Sequence, residues 1–125
     1  MTRVERFEDL VAWQKARALA RDVYVLTRTR DFSHDFGLVS QMQRAAVSVM
    51  ANLAEGFDRE GTVEFHRFVA VARASCSELK SHLYVAADVG YITEDELKRM
   101  ATSMDDVTRT VGALRKSLKA RITRR

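Results

Sequence analysis

Leu97, Met100, Met104, Val107, Val111, Leu114, Leu118 and Ile122 recur at steps of three and four. A strand alternates with a period of two and has no use for such a seam. A helix lying against a neighbour does. Just upstream, Thr93 and Glu96 stand three apart, the spacing of a capping box. Glu94 and Asp95 suit the positive end of a helix dipole. The pattern predicts a helix over about 94–122. Gly112 is its weak point, costing about 1 kcal/mol relative to alanine unless a neighbouring helix comes close there.

The rest of the chain carries the same signature. Proline is absent and only five glycines occur, which favours long helices joined by brief turns. Phe65, Phe68, Val69, Ala72, Cys76, Leu79, Leu83 and Ala86 form the stripe of a helix over about 62–89. Gly90 follows as a terminator that tolerates a left-handed backbone. Leu38, Met42, Ala45, Val49 and Leu53 face one way on a helix over about 37–55, which Gly56 is expected to stop. A first helix over about 8–29 places Leu10, Trp13, Ala16, Ala20 and Val23 on one side, and "RDFSHDFG" turns the chain round. Four amphipathic helices with short connections imply an all-α, antiparallel up-down-up-down four-helix bundle spanning 1–125 as one domain.

The second helix is greasier than such a bundle needs. Gln41, Arg44, Ser48, Asn52 and Glu55 line one side at helical spacing, while Val47, Met50 and Ala54 make an extra apolar stripe. The first helix adds Val11, Leu19, Val25 and Leu26 outside its main stripe, and the third adds Val71, Ala74 and Val85. That surplus gives the expectation of helices contacted on a further side by a sister subunit, hence a homo-oligomer. Ser48, Asn52 and Glu55 are then expected to bond to neighbouring helices and fix register.

Little points to catalysis. Glu78 and His82 form the one Glu/His pair at helical spacing, and the seam of the fourth helix has no carboxylate, so the paired Glu-x-x-His motifs of a di-iron bundle are missing. Cys76 falls on an apolar stripe, where a thiol behaves as a small hydrophobe. No glycine-rich phosphate loop is present. No enzyme activity, metal or cofactor is expected. No run approaches the roughly 18 apolar residues of a membrane span. The charged start "MTRVERFEDL" and the single cysteine give the expectation of a cytoplasmic protein with no membrane partner.

Charge is the remaining clue. Arg109–Arg125 holds seven Lys or Arg and no acid, whereas the first 108 residues hold 14 basic and 17 acidic side chains, a net of −3. Arg115, Lys116, Lys119, Arg121, Arg124 and Arg125 lie outside the apolar seam and are the candidate nucleic-acid contacts. No aromatic residue interleaves this run for base stacking.

"FEDLVAWQKA", "GLVSQMQRAAVSVMANLAEGFDR", "EFHRFVAVARASCSELKSHL" and "VGYIT" resemble the four-helix-bundle proteins encoded in 23S ribosomal RNA intervening sequences. The Asn-x-Ala-Glu-Gly ending of the second helix is the most specific part. Phe32-Ser33 stands where such proteins commonly have Phe-Pro, and Asp35 where a glutamate is usual. The resemblance implies a bundle that assembles as a homopentamer and whose role is not established. Architecturally it is similar to the accessory proteins of diversity-generating retroelements, basic pentamers that bind nucleic acid and a reverse transcriptase. Residence within a ribosomal RNA insertion does not by itself imply a ribosomal component. The expected function is a non-enzymatic oligomeric scaffold docking RNA or another nucleic acid through its basic end. The alternative is a protein-interaction adaptor that recruits a partner enzyme, its basic end meeting an acidic surface of that partner, and that binds no nucleic acid.

Overall fold

Local chemistry sets the helix ends. The computed structural model describes residues 3–124. The capping box forms: the Glu96 backbone N–H donates to Thr93 Oγ1 at 3.1 Å, and the Thr93 N–H donates to the Glu96 carboxylate at 2.8 Å. Helix α4 follows as Glu94–Thr123. Its seam is buried at Met100, Met104, Val107, Val111 and Leu118, with Leu97 and Leu114 packed against the core at lower burial.

Helix α3, Thr62–Asp88, ends in the left-handed cap that Gly90 permits, at φ 83°. The Tyr91 N–H donates back to the Ala86 carbonyl at 2.9 Å and the Gly90 N–H to Ala87 at 3.1 Å, a Schellman pair. Helix α2, Phe36–Asp58, starts at Asp35, whose carboxylate accepts the Leu38 N–H at 3.1 Å. The other oxygen of the same carboxylate accepts the Tyr91 hydroxyl at 2.9 Å. Aspartate is a preferred cap because its short side chain reaches the first turn. Phe32, fully buried, stacks on Tyr91 with ring centroids 5.1 Å apart, so the α1–α2 connection is sealed against the end of α3.

Three expectations are corrected. Gly56 does not stop α2; the helix continues to Asp58, and Gly56 is buried at a helix crossing. A Cβ there would lie 2.6 Å from Phe68 Cβ and 3.1 Å from Phe65 Cδ1, so the missing side chain is what lets α2 and α3 approach. The opening residues form a separate 3-10 turn, Phe7–Asp9, and α1 proper is Val11–Thr27, shorter at both ends than its pattern suggests. The Asp9 carboxylate accepts the Glu5 and Arg6 N–H groups and so holds that turn apart from the helix. Finally, Leu19 and Leu26 are not surplus grease, because both are buried in the core of their own bundle.

Each helix packs against two others: α1 on α2 and α4, α3 on α2 and α4, with α2–α3 the broadest contact. Ser48 meets Ser75 while Gly56 meets Phe65 and Phe68, so α2 and α3 run in opposite senses. Adjacent aspartates on α4 reach both of its neighbours. Asp105 accepts Lys80 of α3 at 2.7 Å, and Asp106 accepts Lys15 of α1 at 3.1 Å. These pairs are half-exposed and fix alignment more than they stabilise. The product is an all-α four-helix bundle.

Candidate nucleic-acid interface

Helix α4 outruns its last acid, Asp106, by more than four turns, and everything charged beyond that point is positive. Lys116, Lys119, Arg121 and Arg124 are exposed, and Arg115 is half-buried. Among the described residues, Arg115, Lys116, Lys119 and Arg121 have no carboxylate within ion-pair distance. Arg124 donates to the Ala120 carbonyl at 3.2 Å, which caps the helix end. Arg125 lies outside the described residues.

These cations do not share one face. At 100° per residue, Arg115 and Lys119 turn toward α3 while Lys116 and Arg124 turn outward. Arg115 lines a shallow groove with Ala70, Arg73, Ala74 and Ser77 of α3. Arg73 was not among the residues that sequence periodicity singled out. Its Nε lies 3.8 Å from the point where a Cβ on Gly112 would stand, so the guanidinium rests over the one residue of α4 with no side chain to displace it. Below it, His66 is half-buried, and its Nε2 is enclosed with no hydrogen-bond partner among the described residues. Burial holds the His66 imidazolium below its ordinary range, and the positive charges of Arg115 and Lys119 lower it further.

The polar row on α2 closes partly on its own chain. Ser48 Oγ lies 2.9 Å from Ser75 Oγ, and Asn52 Nδ2 donates to the Ser48 carbonyl at 2.8 Å and to Ser48 Oγ at 3.0 Å. Gln41 accepts Arg44 at 2.8 Å and Glu55 accepts Arg59 at 2.9 Å, both at exposed ends of the row. Met50 packs on the core, whereas Val47 is 39% exposed and Phe36 is 78% exposed. Phe36, Val39 and Val47 of α2 line an open groove with Tyr24 of α1. Between Phe36 and Ala54 the only charged residue is Arg44. A helix side turned to water in a monomer normally carries more charge than that.

Elsewhere the chemistry is quiet. Burial pushes the Cys76 thiol up, outweighing a hydrogen bond from Thr108. His82 lies 3.4 Å from Glu78 as a single helix-surface pair. Among the described residues there is no group of three or more His, Cys, Asp or Glu that could hold a metal ion. No described helix is long and apolar enough to cross a membrane.

Fold and surface together define a four-helix bundle with one basic end and one helix flank that carries a single charge, Arg44. A family model for the 23S rRNA-intervening sequence protein matches residues 8–113, and the chain belongs to that family. Among solved structures, one with the same fold is the crystal structure of a protein of unknown function from the S23 ribosomal protein family, from Bacteroides thetaiotaomicron VPI-5482. It has a TM-score of 0.77 and 17% identity over 85% of this chain and 99% of that one. No curated protein matches this chain. The six basic candidates all lie beyond residue 113, C-terminal to the family match.

Proposed function

We propose that this chain is a non-enzymatic, cytoplasmic scaffold, an up-and-down bundle assembling as a homopentamer, that docks RNA through the basic end of α4. One observation carries the reading: Arg115, Lys116, Lys119 and Arg121 lack carboxylate partners among the described residues. Unpaired surface cations gain little from one another and a good deal from a polyanion, whose condensed counterions are released on contact. The flank of α2 from Phe36 to Ala54, with Arg44 its single charge, supports self-association. The count of five is what the family resemblance implies. Assembly multiplies the basic ends on one particle, and multivalency raises a weak contact to a measurable one.

Filter binding of a structured RNA at low and high salt tests this. The scaffold predicts binding at low salt that weakens steeply as salt rises. Absence of binding even at low salt would end the RNA reading. Affinity capture with wild type and a variant neutralised at Arg115, Lys116 and Lys119 distinguishes the adaptor: loss of a captured protein rather than of RNA favours it.

A further inference from the structure

Phe65–Ser77 on α3 and Val107–Thr123 on α4, far apart in sequence, contain no acid. The fold lays one along the other, with Cys76 beside Thr108, Arg73 over Gly112, and Arg115 against Ala70 and Ser77. The result is a groove lined by Arg73 and Arg115 and by no carboxylate, floored by the small side chains of Ala70 and Ala74, with Lys119 one turn further along α4 on the same side. We propose that this α3–α4 groove, and not the free end of α4, is the primary phosphate-binding track, taking the phosphodiester backbone of one nucleic-acid strand.

The geometry favours a strand laid lengthwise. Arg73 sits level with Gly112, and Lys119 stands seven residues further along α4. At 1.5 Å per residue the track is about 10 Å long, the axial length of about three nucleotide steps at 3.4 Å. Alanine floors let a backbone approach closely, and the Ser77 hydroxyl can donate to a phosphate oxygen. His66, enclosed beneath Arg115 and Lys119, is an internal reporter of charge in the groove.

The inference rests on the RNA-docking reading, and its test separates the two. A labelled single-stranded oligouridylate of roughly eight nucleotides is titrated by fluorescence anisotropy at 50 and 200 mM salt. Three phosphate contacts predict a log–log salt slope of about −2, roughly a 20-fold weakening over that range. Arg73→Ala should make the slope shallower by about 0.7, leaving roughly a sevenfold weakening. Gly112→Glu, which sets a carboxylate beside Arg73 with only an ordinary contact at its Cβ, should weaken binding similarly while the circular dichroism stays helical. Arg121→Ala at the free end should change the slope less than Arg73→Ala does. On adding the oligonucleotide, the His66 ring signal should move in NMR while His34 and His82 stay in place.

Wild type failing to bind at low salt overturns the RNA-docking reading and this inference with it. Wild type binding normally, with Arg73→Ala indistinguishable from it or Arg121→Ala the more damaging change, overturns the groove alone. Poly-glutamate of matched charge binding as tightly as the oligonucleotide would replace nucleic acid by an acidic protein surface.

Discussion

Gly56→Ala and Gly112→Ala make the same chemical change inside two helices of one bundle, and their surroundings give them opposite signs. At Gly112 a new Cβ meets nothing nearer than Arg73 Nε at 3.8 Å, an ordinary contact. The substitution then gains the helix propensity of alanine, about 1 kcal/mol, or roughly 4 °C in Tm for a chain of this size. At Gly56 the new Cβ would lie 2.6 Å from Phe68 Cβ, an atom fixed to the backbone that cannot swing aside, and 3.1 Å from Phe65 Cδ1. Relief requires α2 and α3 to separate. Overpacking of this kind costs about 1–3 kcal/mol, and the fixed atom places it at the upper end. After the same propensity gain, Gly56→Ala should be destabilised by about 1–2 kcal/mol. Urea denaturation followed by circular dichroism, at one protein concentration throughout, measures both variants. Equal stabilisation of the two would refute the close approach of α2 and α3 at Gly56.

Other consequences are as direct. Glu96 is held below the ordinary carboxylate range, chiefly by the hydrogen bond from the Thr93 backbone N–H. Because the folded state favours its charged form, its contribution is complete above the unfolded value of about 4.3 and is lost as pH falls through the lowered folded value. The stability gap between wild type and Glu96→Gln should therefore be widest near neutral pH and close in acid; a gap constant down to pH 3 contradicts the cap. Cys76, buried and with its thiol raised, should resist a thiol-specific chromogenic reagent in native protein and react once guanidinium unfolds the chain. Fast labelling of native protein would show the α3–α4 seam to be open. Val47→Glu places a charge on the sparsely charged flank of α2 and should lower the native mass while leaving helix content unchanged. An unaltered mass would remove Val47 from the assembly face.

Where a single residue type has a single local use, the sequence was readable. The Thr93–Glu96 box and Gly90 set the start of α4 and the end of α3 as their spacing predicted. Gly56 was misread because a glycine at the end of an apolar run suits a helix stop and a helix crossing equally, and only the position of Phe68 decides between them. Leu19 and Leu26 looked superfluous because a stripe drawn through alanines is narrower than the face α1 buries between α2 and α4. The candidate interface divides the same way. The cations of α4 are evident as a run in the sequence. Arg73 is not, since on its own helix it is one exposed arginine among alanines and serines, and it gains meaning only when α4 lies alongside with Gly112 beneath it. Phe36, an apolar side chain beside a cap, gave no periodic signal, yet among the described residues it is the most exposed large hydrophobic one.

The sparsely charged flank of α2 and the proposed clustering of basic ends both rest on self-association of the chain. Light scattering coupled to size exclusion, at micromolar concentration, measures this without any ligand. The scaffold predicts a particle of five times the 14.2 kDa chain mass. A lone 14.2 kDa species would contradict it and would leave Phe36 and Val47 without a role.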